Sequence, residues 1–178
     1  DGLNLPYDVP ANEYMNMEGF KLSTSRNWAI WLPDYLERYE PDPLRYAIAS
    51  NMPETSDSDF PWRESVRSNN DELVATYGNL VHRVLTMVVR NFDSKGPDPG
   101  TTDDLGLGLL DQAKKNLADT AANIEACKFR AALSAAMSLA QATNRYLDQK
   151  APWRAIRIDR KDAATTLWVC LAVINCLK

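Results

Sequence analysis

Helical periodicity over most of the chain constrains its fold more than any other feature of the sequence. From about residue 61 onward, apolar side chains recur with a period near 3.6 residues, as in amphipathic helices. One clear break lies at residues 95–100, which contain two prolines and two glycines. Alanine is frequent after residue 125, which favours helix and allows neighbouring helices to approach closely. The predicted helices span residues 64–92, 102–123, 125–149, a short helix starting at 151–153, and 162–177.

The first 60 residues have a different character. Residues 1–32 contain prolines and glycines without a sustained helical period, which predicts short extended pieces and loops. Short helices are expected at residues 32–39 and 44–50, the first with a proline in its opening turn. The turn-rich stretch 51–60 should be a connecting loop, with Asp59 capping the helix that follows.

These patterns predict a mainly α protein in two units. A small mixed α/β segment occupies residues 1–60, and an antiparallel helical bundle occupies residues 61–178. The last helix is apolar nearly all round at residues 167–177, so we expect a partner chain or further helices to cover it. Trp62 and Trp168 are predicted to be core residues.

Composition excludes several classes of function. The 178 residues hold 20 Lys plus Arg against 24 Asp plus Glu, a net charge of −4, which rules out a uniformly basic nucleic-acid binder but not a locally basic face. The apolar run at 167–177 is shorter than the roughly 18 residues of a membrane span. Residues 1–4 have neither a Met nor a signal pattern, so we expect the middle of a longer chain. The short apolar run predicts no membrane partner, and the cysteine usage points to a reducing, cytoplasmic compartment.

Cysteine and histidine are too few for the common metal and nucleophile sites. Three cysteines without CxxC spacing and the single His82 cannot form a four-cysteine or a two-cysteine, two-histidine zinc set. Three cysteines with one histidine would suffice by count, but the paired spacing is lacking. A Ser-His-Asp relay would depend on His82, and nothing nearby indicates one. We predict no metal site, cysteines that act as small buried hydrophobes, and no autonomous small enzyme.

One helix carries a polar stripe opposite its apolar face. On a helical wheel, Asn79, Arg83, Thr86 and Arg90 fall within about 60°, with His82 beside them at the rim. An amide, a hydroxyl and two guanidinium groups can hydrogen-bond base edges and phosphates. The alternative is an ordinary solvated helix face.

Two further features suggest contacts with nucleotides. Trp153 follows Pro152 at a predicted helix start, where an exposed ring could stack an unpaired base, although it could equally be a core residue. Residues 21–27 place a Lys, hydroxyls and an Arg in one loop, which could contact a triphosphate or be a plain polar loop.

Residues 21–25, Lys-Leu-Ser-Thr-Ser, resemble the Lys-Met-Ser-Lys-Ser signature loop of class I aminoacyl-tRNA synthetases. Their setting is similar to that of the methionyl-tRNA synthetase family, and the resemblance covers essentially the whole chain in the right order. Thr24 stands where the signature has its second Lys, and Leu22 replaces Met. The other segments that carry the resemblance are residues 9–14, 18–21, 41–46, 51–55, 69–73, 78–81, 90–91, 144–146 and 151–153.

The resemblance implies specific roles for individual residues. In the family, the amide, guanidinium and indole that read the CAU anticodon fall on Asn79, Arg90 and Trp153. Thr86 matches a position where many members have Asn. By the same match, the signature loop offers Lys21, Ser23 and Ser25 as contacts to ATP.

The resemblance also implies what this chain does within a larger enzyme. Residues 1–60 would be the stem-contact segment and residues 61–178 an anticodon-binding domain without its last helices. The parent would attach methionine to its tRNA using ATP and Mg. The nucleotide- and methionine-binding half is expected to lie upstream, so the fragment alone should hold no cofactor and should not be catalytic. Its expected partners are the anticodon loop of tRNA(Met) and that catalytic domain; the alternative is a helical protein–protein interaction module that uses the apolar C-terminal helix.

Overall fold

A computed structural model describes residue 2 and residues 4–178 of the chain. Strands and short helices come first, and long helices follow, so the prediction of a mainly α fold with a small mixed segment is confirmed. The N-terminal elements are β1 (Met15–Met17), β2 (Phe20–Lys21), α1 (Leu32–Leu36), α2 (Pro41–Ser50) and β3 (Ser58–Phe60). The bundle comprises α3 (Trp62–Ser68), a π-helical segment (Asn69–Gly78), α4 (Asn79–Asn91), α5 (Asp104–Glu125), α6 (Phe129–Lys150), α7 (Pro152–Ala155) and α8 (Arg160–Leu177).

The three strands form one small sheet in the order β2-β1-β3. Strand β1 pairs antiparallel with β2 and parallel with β3. The prediction of a plain loop at residues 51–60 is therefore wrong for its last three residues. The local sequence of β3 indicates a turn, and the strand depends on a backbone partner more than forty residues away. The Ser58 N–H donates to the Tyr14 carbonyl over 3.0 Å.

Asp59 does not cap α3. Its side chain accepts a 2.9 Å hydrogen bond from the Gly19 N–H, which tightens the turn between β1 and β2. The first turn of α3 instead receives a carboxylate from far upstream, since the Trp62 N–H donates to Glu18 Oε1 over 2.7 Å. Asp59, the predicted helix cap, therefore bonds to the turn of the sheet, and Glu18 from that turn bonds to the start of α3.

Helices α3 and α4 are one continuous rod through the π-helical segment. Ser68, Asn69, Gly78 and Asn79 all keep right-handed helical backbone angles, which confirms the predicted helix over residues 64–92. At the end of the π-helical segment, the Thr76 carbonyl accepts a 3.0 Å hydrogen bond from Asn144 Nδ2 on α6. This contact ties the rod to α6 of the bundle.

Two apolar cores lie in the two parts of the chain. The larger one joins α4, α5, α6 and α8, and buried alanines on α6 allow the close approach of its neighbours. The smaller one packs α2 against the sheet. Residues in the larger core include Leu80, Val84, Val88, Leu109, Leu139, Leu147, Leu167 and Val173; Leu44, Ala47 and Phe60 form the smaller one.

Polar contacts join the two parts. The Tyr46 hydroxyl of α2 donates to Glu72 in the π-helical segment. The Arg130 N–H at the start of α6 donates to Glu54 Oε1 over 2.9 Å. A domain boundary at residue 60 remains a prediction. Both of these hydrogen bonds join residues on opposite sides of it.

Neither Trp62 nor Trp168 is a core residue, contrary to the sequence prediction. Trp62 is 40% exposed at the edge of a cleft beside Tyr35, and Trp168 is 36% exposed on the outer side of α8. The other apolar residues of α8 are mostly buried within this chain, which accounts for their nearly continuous apolar pattern. Within the described residues, no helix combines the length and apolarity needed to cross a membrane.

Candidate nucleic-acid interface

Helix α4 presents two distinct faces. Leu80, Val84 and Val88 recur every four residues and are buried, which fixes the rotation of the helix. Asn79 and Arg90 are exposed on the side turned away from this core. They are eleven residues apart, which corresponds to about 16 Å along a helix axis.

The residues of the polar stripe on α4 differ in whether they contact other parts of the chain or reach solvent. Arg83 Nη2 pairs with Asp148 Oδ1 of α6 at 2.6 Å, and the Arg83 side chain is only 28% exposed. Thr86 is half-buried, whereas Asn79 and Arg90 reach solvent. The Arg90 guanidinium makes no ion pair within the part of the chain that the structure describes.

Trp153 lies beside this stripe and remains accessible. Trp153 is 42% exposed as a residue, and the guanidinium carbon of Arg83 lies over its ring, 5.3 Å from the ring centroid. One part of the ring is therefore held by a cation–π contact, and another part is open to a ligand. The structure brings Trp153 next to α4, and the link between them is Arg83.

A sharp corner between α6 and α7 sets the direction of Trp153. Ala151 takes left-handed backbone angles, with φ 41° and ψ 56°, and ends α6. Pro152 is buried and opens α7, where its fixed φ suits the first helical turn. The buried proline ring of Pro152 and the helical turn of α7 thus fix the backbone on both sides of Trp153.

An ionic clamp holds the same corner. Lys150 Nζ lies 2.8 Å from Asp162 Oδ1 at the start of α8 and 3.2 Å from Asp103 Oδ2 at the start of α5. The hydrogen bond to Asp162 raises the pKa of Lys150, and Asp103 adds to the effect. The Gly106 N–H, which donates to Asp103 Oδ1, lowers the pKa of that carboxyl, with Lys150 contributing in the same direction.

Sequence reasoning missed two partners of this surface. Asp148 is not distinctive in the sequence, because its partner Arg83 is 65 residues away. Arg160 is equally remote from its contacts: it donates to the Asn91 carbonyl, and its guanidinium carbon lies 5.1 Å from the Phe92 ring centroid. The only available signal for Arg83 was its place on the stripe, four residues after Asn79.

The signature-like loop lies in the small sheet unit, apart in sequence from the bundle stripe. Ser23 and Trp28 exchange backbone hydrogen bonds of 2.9 and 2.8 Å, which closes the loop that contains Ser25. The two hydroxyls, Ser23 Oγ and Ser25 Oγ, are 3.2 Å apart. Lys21 Nζ lies 5.1 Å from the Tyr14 ring centroid. The structure thus brings the two hydroxyls together and places the Lys21 ammonium group over Tyr14 in the same sheet unit; ammonium and hydroxyl donors both suit phosphate oxygens.

The cysteines differ from one another. Cys170 is buried, which raises its thiol pKa to about 12, whereas Cys127 and Cys176 are only half-buried. The prediction of small buried hydrophobes therefore describes Cys170 best. His82 is exposed on α4. Among the described residues, His, Cys, Asp and Glu form no group of three or more that could hold a metal ion.

Comparison with known proteins identifies both parts of the chain. Residues 1–85 match the family model described as tRNA synthetases class I (M), and residues 96–177 match the anticodon binding domain of methionyl tRNA ligase. A methionine–tRNA ligase from Thermomicrobium roseum is 54% identical over 100% of this chain and 30% of its own length. One from Dehalococcoides mccartyi is 55% identical over 99% of this chain and 32% of its own length.

Solved structures agree with the sequence relatives. Mycobacterium tuberculosis methionyl-tRNA synthetase in complex with methionyl-adenylate matches with a TM-score of 0.90 and 27% identity, covering 99% of this chain and 35% of that one. The chain thus spans about a third of the length of the proteins it matches. The two matched segments and these relatives agree on one assignment: the chain belongs to the methionyl-tRNA ligase family of class I aminoacyl-tRNA synthetases.

Proposed function

We propose that this chain reads the anticodon loop of tRNA(Met) as part of a methionine–tRNA ligase. The observation that carries the proposal is the half-exposed Trp153 ring, held against Arg83 of the helix that presents Asn79 and Arg90. Loop nucleotides are unstacked and expose their bases, and proteins recognise them by aromatic stacking and by hydrogen bonds to base edges. The ring and the stripe on α4 supply both kinds of contact.

The roles divide along the surface. Trp153 stacks an unpaired base, with Arg83 holding the ring in place. The Asn79 amide and the Arg90 guanidinium hydrogen-bond base edges at two points about 16 Å apart along α4. Thr86 lies between them and offers a hydroxyl, a shorter side chain than the Asn that is common at this position in the family, so we expect a smaller share of base reading from it.

The small sheet unit serves the ATP-dependent step of the parent enzyme. Lys21, Ser23 and Ser25 would contact the triphosphate of ATP, with Mg shielding its charge, where the rest of the enzyme supplies the reactants. Thr24 provides a hydroxyl but no second ammonium group, so one phosphate contact of the signature loop is lost. The whole enzyme would attach methionine to tRNA(Met) in the cytoplasm.

The test is binding of a CAU anticodon stem-loop, measured by fluorescence anisotropy. Loss of base stacking in Trp153→Ala costs about 1–3 kcal/mol, which is a 5- to 150-fold weaker affinity. Arg90→Ala should weaken binding and reduce discrimination against a stem-loop with an altered anticodon. Trp168→Ala is the matched control, because Trp168 is similarly exposed, at 36%, but lies on α8. Equal binding of the CAU and altered loops by the unsubstituted chain would contradict the proposal.

The same experiment addresses the alternative of a helical interaction module. Leu167, Val169 and Val173 of α8 are buried in the core of this chain, so their side chains are not exposed to a partner protein. An interaction module would bind no stem-loop in an anticodon-dependent way. Anticodon-dependent binding that is sensitive to Trp153→Ala would therefore exclude it as the main function.

A further inference from the structure

Four cations follow Trp153 within the next eight residues of the chain. Residues 154–161 contain Arg154, Arg157, Arg160 and Lys161, with Asp159 as the single opposing carboxylate. The chain as a whole carries a net charge of −4. This segment is therefore positively charged, opposite in sign to the chain as a whole, and it directly follows the exposed Trp153 in the sequence.

The segment from Trp153 to Arg160 contacts α4 at each of its two ends. Trp153 contacts Arg83, and Arg160 contacts Asn91 and Phe92. Arg83 and Asn91 are eight residues apart on one helix, a distance of about 12 Å. In the sequence, Arg154 and Arg157 lie between the two residues that make these contacts, Trp153 and Arg160.

Helical turns set the directions of these side chains. The Arg157 N–H donates to the Arg154 carbonyl over 3.3 Å, and the Ile158 N–H donates to the Ala155 carbonyl over 2.9 Å, so the turns of α7 continue past its last residue. Side chains three or four residues apart are neighbours on a helix, which pairs Arg154 with Arg157 and Trp153 with Arg157.

Three of the four cations form no ion pair within the described part of the chain, whereas Arg160 contacts Asn91 and Phe92. These three, Arg154, Arg157 and Lys161, are exposed. Lys161 lies in the first turn of α8, where the helix dipole disfavours a positive charge. Local stability therefore does not account for the cations, and an external anion would.

We propose that Arg154, Arg157 and Lys161 form a basic strip that binds the phosphodiester backbone of the RNA nucleotides flanking the base stacked on Trp153. This inference rests on the proposed function and adds the backbone as the second part of the ligand. Base contacts specify the sequence, whereas phosphate contacts fix the position of the RNA and supply salt-dependent affinity. The strip would thus provide the attraction that the negative chain as a whole lacks.

The salt dependence of stem-loop binding tests the strip. Each single-strand phosphate contact contributes about 0.7 to the slope of log affinity against log salt. The double variant Arg154→Gln/Arg157→Gln should lower the slope by about 1.4 and weaken binding about 25-fold near 0.1 M salt. Preference for the CAU loop over an altered loop should stay unchanged, because the base contacts remain.

Two further variants control for charge and chemistry. Lys114→Gln/Lys115→Gln removes the same charge from the exposed side of α5 and should leave the slope unchanged. Arg154→Lys/Arg157→Lys retains two point charges for phosphate and should restore the slope of the unsubstituted chain.

Each outcome has a defined meaning. An unchanged slope in the Arg-to-Gln variant, or an equal change in the α5 control, overturns the basic strip while leaving anticodon reading intact if Trp153→Ala still weakens binding. Failure of the Lys variant to restore the slope also overturns it, since a phosphate contact needs only charge. If the unsubstituted chain does not distinguish the CAU loop from an altered loop, the proposed function fails instead.

Discussion

Leu167 and Trp168 are neighbours on α8 with opposite environments. Leu167 is fully buried at 0% exposure, while Trp168 is 36% exposed. Truncating a buried leucine removes transfer free energy and leaves a cavity, so Leu167→Ala should lower the free energy of unfolding by about 2–5 kcal/mol. Trp168→Ala should cost less, although it removes a larger side chain. Urea unfolding of both variants checks this, and a greater loss for Trp168→Ala would show that the burial of the two is misassigned.

The three cysteines should differ in reactivity as they differ in burial. The thiolate is the reactive form, and burial raises the pKa of Cys170 to about 12. A thiol reagent at about pH 8 should therefore label Cys127 and Cys176 in the folded chain and Cys170 only after unfolding. Mass spectrometry of the labelled chain, before and after adding urea, provides the measurement. Labelling of Cys170 as fast as Cys176 in the folded chain would contradict the packing of α8.

At the scale of elements, the ionic clamp links the starts of α5 and α8 to the corner that carries Trp153. Lys150 is 18% exposed and satisfies both Asp103 and Asp162. Lys150→Met removes two charge-assisted hydrogen bonds and leaves the carboxylates facing each other, so the free energy of unfolding should fall by about 1–3 kcal/mol. Lys115→Met, an exposed position on α5, is the control and should change little. Equal stability of the two variants in urea would show that the clamp contributes nothing.

The carboxylate at the start of α5 gives the clamp a pH dependence. Because the folded-state pKa of Asp103 is lowered, its ionised form stabilises the native state above the ordinary pKa near 3.9. That contribution is lost as the pH falls through the folded-state pKa. Asp103→Asn keeps an acceptor for the Gly106 N–H but loses the charge.

The variant should therefore be less stable than the unsubstituted chain near pH 7, and the two should converge once the pH falls below the lowered folded-state pKa of Asp103. The difference should not exceed about 1 kcal/mol, because the Asp103 side chain is 45% exposed. Urea midpoints at several pH values provide the measurement, with the exposed Asp111→Asn as a control. A difference that stays constant with pH would exclude the ionised form as its cause.

Periodicity predicted the helices because each depends on a local apolar repeat, as in Leu80, Val84 and Val88. It could not predict the π-helical segment. That segment contains the same residue types as an α-helix and differs only in which carbonyl accepts each N–H hydrogen bond. Strand β3 and the Arg83–Asp148 pair escaped prediction for a common reason: their partners are 43 and 65 residues away. The wheel did predict the outward position of Asn79 and Arg90, while their contacts with a base remain a prediction.

At the scale of the molecule, two parts with separate cores carry the two proposed sites. In the proposed function, the bundle supplies an aromatic ring and hydrogen-bonding groups for bases, and the sheet unit supplies Lys21, Ser23 and Ser25 for phosphates. Polar contacts such as Arg130 with Glu54 hold the parts together. If the bundle alone recognises the anticodon, as proposed, Lys21→Ala should leave stem-loop affinity unchanged, whereas Trp153→Ala should weaken it.

Catalysis by the chain alone should be absent even where RNA binding is present. A charged loop accelerates a reaction only by stabilising charge that develops on reactants held in position beside it. The cleft beside the loop is lined by Phe20, Lys21, Arg26 and Trp28, and its volume of about 270 Å³ is below the range of roughly 300–1,000 Å³ that is usual for small-molecule sites. We therefore expect methionine-dependent ATP–pyrophosphate exchange at background level in the same preparation that binds the CAU stem-loop. Exchange above background, abolished by Lys21→Ala, would show that the chain contains a complete activation site.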